Sequence, residues 1–157
     1  MHVHELDTTQ RLPLSPAELF PFFAEARNLE RITPPWLQFT VLTPAPVEMR
    51  RGALIHYRLR LHMIPVGWVT QIEAWEPDRL FIDRQLLGPY SLWHHEHHFE
   101  PDGGGTVMRD RVRYVLPAGP AGEVAHTLFV RNDIEKIFAF RHRAVEQMVA
   151  HGDLGSG

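Results

Sequence analysis

The sequence predicts an α+β domain: a curved antiparallel sheet of seven strands around one long C-terminal helix, with two short helices after the first strand. Three observations carry this. Between residues 37 and 116, six β-rich segments follow one another with only short turn-forming stretches between them, the pattern of an antiparallel meander. Beyond residue 122, apolar residues recur at helical spacing. A capped helix start lies between the first strand and the meander. Such elements bury their apolar faces against one another around a common core.

Val3 to Leu12 reads as the first strand, ended by Pro13. In Ser15-Pro16-Ala17-Glu18, Ser15 can cap a helix, Pro16 suits its first position and Glu18 completes a capping box. Leu14 and Leu19 are spaced as the accompanying hydrophobic staple. Pro21 falls inside this helix and is expected to kink or split it, because proline lacks an N–H and crowds the preceding turn. A second short helical piece covers about Arg27 to Ile32 and stops before Pro34-Pro35.

The remaining strands are expected at Leu37–Leu42, Ala53–Ile64, Trp68–Trp75, Leu80–Leu87, Ser91–Phe99 and Thr106–Leu116. The breakers between them are Arg51-Gly52, Pro65-Val66-Gly67, Pro77-Asp78, Gly88-Pro89 and Asp102-Gly103-Gly104-Gly105. Pro117 to Gly122 ends the sheet. The long helix then runs from about Glu123 to His151, with Val130, Ile134, Ile137, Phe138, Val145 and Met148 on one stripe.

Composition sets the outer limits. At 157 residues, 44% hydrophobic and 22% charged, the chain is expected to form one globular domain over residues 1–151, with a flexible tail over 152–157. A net charge of -3 argues against nucleic acid as a partner, since phosphate neutralisation needs a basic surface. The absence of cysteine excludes disulfides, thiolate catalysis and cysteine-ligated zinc. No cofactor is expected. No apolar stretch approaches the roughly 18 residues of a membrane span. The opening Met-His-Val-His-Glu-Leu-Asp lacks the basic and apolar parts of a signal peptide, so the cytoplasm is the expected compartment. Composition leaves the oligomeric state open.

Residues 93–99, Trp-His-His-Glu-His-His-Phe, hold the densest chemistry. Side chains alternate along a strand, so Trp93, His95, His97 and Phe99 share one face and His94, Glu96 and His98 the other. The aromatic bracket turns the first set inward. On the last strand Arg109, Arg111 and Arg113 must face solvent, which turns Met108, Asp110, Val112 and Tyr114 inward. A short hairpin around Asp102 to Gly104 then sets Asp110 opposite His95 or His97, with Cβ atoms about 4.5–5.5 Å apart. Alternation also turns Ile55, Tyr57, Leu59, Leu61 and Met63 inward, and places Phe81, Asp83 and Gln85 inside.

Several segments resemble the SRPBCC superfamily (START, birch-pollen-allergen-like and polyketide-cyclase-like proteins), and within it a bacterial ligand-binding subgroup. They are Asn28-Leu29 with Ile32-Thr33-Pro34-Pro35-Trp36-Leu37, Gly88-Pro89-Tyr90 with Trp93 to Glu100, and Met108 to Tyr114. Pro21 departs from that pattern. The resemblance covers nearly the whole chain and implies the helix-grip fold, with a cavity between sheet and long helix for a small hydrophobic or aromatic ligand. Its polar end would then be met by His95, His97 and Asp110, joined by Tyr57, Asp83, Gln85 and Arg141. Trp68, Trp93, Tyr114 and Phe138 would supply apolar contact.

Other readings compete with ligand recognition. His95, His97 and Asp110 could act as general acid and base in a cofactor-free cyclase, dehydratase or hydrolase-like enzyme. The same three residues form a weaker alternative as a metal site, against which stands a plain hydrogen-bonded network. Arg141, on the apolar stripe, could offer a cation to a carboxylate ligand or pair with Asp83 or Asp110, and pairing is the favoured reading. Trp36 is expected either at the cavity mouth or in the core. A partner-binding module would require a collapsed cavity and an exposed apolar patch.

Overall fold

A computed structural model describes residues 1–154 of the chain. Its strands are β1 (His4–Leu12), β2 (Thr40–Val41), β3 (Leu54–Leu61), β4 (Ile64–Glu76), β5 (Leu80–Leu87), β6 (Leu92–Asp102) and β7 (Gly105–Val115). All pair antiparallel in one sheet ordered β1-β7-β6-β5-β4-β3-β2, so the meander from β2 to β7 returns to lie beside β1. Against one face lies a long C-terminal helical segment. It comprises α2 (Gly119–Ala125), one wide π turn (His126–Val130) and α3 (Arg131–Ala150), and α1 (Pro16–Phe23) precedes them in the chain. This is the helix-grip arrangement.

The start of α1 follows from its capping residues. The Ser15 hydroxyl accepts from the Glu18 N–H at 3.3 Å, and the Glu18 carboxylate accepts from the Ser15 N–H at 3.1 Å. The sequence allowed Pro21 to split this helix, but Pro16–Phe23 is one continuous element. In a helix of eight residues its missing N–H removes a single intrahelical bond. The second helical piece is a 3₁₀ turn, Ala26–Arg31, and another 3₁₀ turn, Pro35–Leu37, occupies the start of the expected Leu37–Leu42 strand. Only Thr40 and Val41 of that strand pair with β3.

Two hairpins fix the register. Gly103 and Gly104, with φ of 53° and 87°, form the two-residue turn between β6 and β7. His62 and Met63, at 48° and 70°, do the same between β3 and β4, so the turn precedes Pro65-Val66-Gly67, which lie within β4. Positive φ at both central residues gives the twist that joins antiparallel strands most directly. Met63 therefore sits on an exposed turn rather than on the inner face of β3.

The core runs between the concave sheet face and the helices. Phe20, Phe23, Phe81 and Phe99 pack with Trp75 in a mesh of edge-on rings between α1 and the sheet. Ile134, Phe138 and Val145 are the buried members of the α3 stripe. Leu154 also packs into the first cluster, and the Asp153 N–H donates to the Met148 carbonyl at 2.9 Å, so residues 152–154 of the expected tail are anchored. Residues 155–157, the rest of that tail, lie outside the described residues. On the convex face Arg109 pairs with Asp7 (2.9 Å) and Arg111 with Glu5 (3.2 Å), which makes it the solvated, charge-paired surface expected. Trp36 is 57% exposed and rests edge-on against Phe140 of α3. No helix among the described residues is long and apolar enough to cross a membrane.

Candidate functional site: a crossed His–Asp quartet under an apolar cavity

Alternation along β6 carries His95 and His97 to the concave face, and their neighbours on β5 and β7 bring carboxylates to them. His97 stands opposite Asp110 and His95 opposite Asp83 in the two ladders. The shortest hydrogen bonds run diagonally across those pairings. His95 Nε2 lies 2.7 Å from Asp110 Oδ1, and His97 Nε2 lies 2.7 Å from Asp83 Oδ2. His97 Nδ1 is also 3.3 Å from Asp110 Oδ1. The two imidazoles stack with centroids 3.6 Å apart, and His97 stacks on Phe81 at 3.9 Å.

Both ring nitrogens of His97 face carboxylate oxygens, which only an imidazolium can satisfy with two donors. Burial opposes that charge, but the hydrogen bonds to Asp110 and Asp83 and their charges raise His97 above the usual histidine range. For His95 burial prevails, aided by the charge on His97, and its pKa falls to about 4. Burial would raise both carboxyls. The hydrogen bond from His97 and the nearby imidazoles nevertheless hold Asp83 below the usual range, and bonds from His95 and His97 hold Asp110 well below it. Within the quartet the shifts run apart, with His97 favouring the imidazolium, His95 the neutral ring and both acids the carboxylate form.

Above the quartet lies a cavity of about 150 Å³ between the sheet and α3. Its walls are largely apolar, with Ile55, Leu59, Trp68, Ile72 and Phe138 among them. A second space of about 340 Å³ adjoins it and shares Leu61, Tyr90, Ile134 and Ile137. His62 of the β3–β4 turn and Asp133 of α3 face this outer space and meet at 2.6 Å.

Of the residues the sequence singled out, Tyr57, Trp68, Asp83, Trp93, His95, His97, Phe138 and Arg141 line the inner cavity. Three do not. The Gln85 amide turns back over Gly88 and is spent on the Tyr90 backbone, donating to its carbonyl at 2.7 Å and accepting from its N–H at 3.2 Å. The Tyr114 hydroxyl lies 2.7 Å from His126 Nε2 in the π turn, where His126 stacks on His4. Asp110 is buried behind the histidines, so it can orient them but does not line the cavity.

Sequence reasoning missed Asp83 as a full partner of the quartet, and Tyr90 as a wall. Tyr90 follows Gly88-Pro89, a turn signal that gives no inward direction. Arg141 departs from the favoured expectation of an ion pair. Its guanidinium sits over the Phe138 ring at 5.0 Å, and its buried Nε has no hydrogen-bonding partner among the described residues.

Among the described residues, two groups of side chains place potential metal-ligand atoms within 4.8 Å of one another: Asp83, His95 and His97 beneath the cavity, and His4, Glu123 and His126 at the π turn. The expected trio of His95, His97 and Asp110 is not among them. Both nitrogens of His97 face carboxylate oxygens of the quartet, at 2.7 and 3.3 Å.

The family described as polyketide cyclase / dehydrase and lipid transport matches residues 12–140. The chain belongs to this family. Among curated proteins no sequence matches. Similar solved structures include the protein TTHA0849 from Thermus thermophilus, at 17% identity over 95% of this chain and 99% of that one, with a TM-score of 0.70. The Zhui aromatase/cyclase from Streptomyces sp. R1128 is 16% identical over 94% and 96% of the two chains, TM-score 0.67. A START superfamily protein from Mycobacterium smegmatis is 10% identical over 94% and 98%, TM-score 0.69. Identities this low carry the fold alone, and the site must be read from its own residues.

Proposed function

We propose that the chain binds a small hydrophobic or aromatic molecule in the cavity between the sheet and α3, with the molecule's polar end turned toward His95, His97 and Asp83. One observation carries this reading. The cavity is apolar over most of its wall, and its few polar groups converge on one region, the usual division between affinity and orientation in a small-molecule site. A mostly apolar space of roughly 150 Å³ is large enough for a single aromatic ring. The family's cyclases, dehydrases and lipid-transport proteins are consistent with such a ligand.

The test is ligand-observed NMR and calorimetry with p-cresol, a ring carrying one hydroxyl, against the protein and a filled variant, Leu59→Trp. Saturable one-to-one binding that is lost in the filled variant supports the proposal. Binding that survives the filling, or no binding to the unfilled protein, overturns it.

A cofactor-free acid–base enzyme is the second reading, favoured by two stacked imidazoles whose pKa values shift in opposite directions on one floor. Asp110 would act there as a positioning residue. For any substrate found, His95→Ala and His97→Ala should then abolish turnover and spare binding, whereas equal loss of both leaves recognition as the role.

A further inference from the structure

Two polar groups on the cavity wall are left without protein partners. The Arg141 guanidinium has no ion pair or hydrogen bond among the described residues, although its Nε is fully buried. The nearest comparable case, Arg113, is different: it faces Glu96 at 3.7 Å and His94 at 3.4 Å on the other side of the sheet. The second group is the Tyr57 hydroxyl, buried within the fold and likewise without a hydrogen bond. Burial raises its pKa, so it remains a donor. Both residues line the inner cavity, one from α3 and one from β3.

A guanidinium with a buried, unpaired Nε is costly to keep, and its position is not accidental. The Phe138 ring, one turn earlier on α3, holds it by a cation–π contact. Asp83 is near enough to feel its charge but forms no ion pair with it. The quartet has already used its own charge on its own carboxylates, so the five Arg141 donors remain for something else. What matches a planar fork of donors beside a phenolic O–H is a planar pair of acceptor oxygens with negative charge. A phosphate dianion would bring two charges into a small apolar space beside Asp83, whereas a carboxylate brings one.

We infer that the inner cavity selects an apolar monocarboxylate, a single ring or a short chain bearing one carboxylate, which pairs with Arg141 and accepts a hydrogen bond from Tyr57. This rests on the ligand-binding reading above and names the class of ligand.

The experiment compares 3-phenylpropionate with 3-phenylpropan-1-ol, which has the same ring and chain but no charge, by calorimetry on the full chain. The acid should bind about ten- to a hundredfold tighter, the span of a charge-assisted hydrogen bond. Arg141→Gln should remove that preference, bringing the acid's affinity down to that of the alcohol, and Tyr57→Phe should reduce it by a few-fold. Arg141 has no protein partner to orphan, and circular dichroism of each variant checks the fold. Equal affinities in the unmodified protein, or an undiminished preference in Arg141→Gln, overturn the inference while the binding reading stands. If neither compound binds, nor p-cresol, both fall together.

Discussion

His97 lies directly opposite Asp110 in the β6–β7 ladder, yet its shorter hydrogen bond runs the other way, to Asp83 on β5 at 2.7 Å. The 2.7 Å contact with Asp110 is made instead by His95, two residues back along β6. Because Asp110 Oδ1 also meets His97 Nδ1 at 3.3 Å, one buried oxygen serves two rings. Asp110 is therefore the carboxylate that holds both rings most closely.

Asp110→Asn should destabilise the fold by about 3 kcal/mol, the scale of breaking a buried ion pair from one side. Asp83, with 17% of its side chain exposed against 6% for Asp110, should cost less as Asp83→Asn. Urea denaturation at pH 7 decides this. Unchanged midpoints for both variants would mean that the quartet contributes nothing to stability.

Stability should peak near pH 6.5, because the two histidines slope in opposite directions. The folded-state pKa of His95, about 4, lies below its unfolded value of about 6.5. Between those values the unfolded chain holds the extra proton, so stability rises with pH by up to about 1.4 kcal/mol per unit. His97 is raised, so its contribution is full below pH 6.5 and is lost as pH climbs through the folded value. The other charged or titratable groups near the pair are Asp83 on β5, Asp110 on β7, and Arg141 and His142 on α3. The two carboxylates have depressed values, so they lose their contribution only as pH falls below the ordinary carboxylate range. Urea midpoints from pH 4 to 9 should lose the acid limb in His95→Gln and the alkaline limb in His97→Gln. Profiles parallel to the parent would contradict these assignments.

Tyr114→Phe should leave ligand affinity intact, since its hydroxyl serves His126 and not the cavity. The cost in stability should be about 1 kcal/mol for a lost buried hydrogen bond. Amide exchange should quicken over residues 119–130, the segment the contact holds. A tenfold loss of ligand affinity would return Tyr114 to the cavity wall.

Gln85→Ala should free the β5–β6 loop by removing both side-chain bonds to the Tyr90 backbone, costing about 2 kcal/mol. Binding of p-cresol should change by less than twofold. A large drop in affinity with unchanged stability would make Gln85 a ligand contact after all.

Strands β5, β6 and β7 were legible because alternation and turn residues agree there, and parity alone brought Asp110 to the two inward histidines. The His62-Met63 turn was not, because the pair is none of the Asn-Gly, Asp-Gly or Gly-Gly sequences that signal such a turn. Its effect was to place Pro65 to Gly67 in the turn instead of in β4. Gln85 and Tyr114 face inward as parity requires, but which partner a side chain finds depends on neighbours distant in sequence: a loop backbone for one, the π turn for the other. Asp83 showed the reverse. Its inward face was foreseen, but its bond to His97 required the order of three strands.

The crossed quartet also bears on how the sheet chooses its alignment. β6 has histidines on both of its faces, so between its aromatic ends, Trp93 and Phe99, the apolar pattern adds nothing to favour the native pairing over one slipped by a single residue. A slip would turn His94, Glu96 and His98 inward and bring a third carboxylate beside Asp83 and Asp110. Like charges in a dry interior are heavily penalised. The buried ions act as a key that fits only one setting of the strands, and they would be worth keeping for that even in a relative that had stopped binding anything.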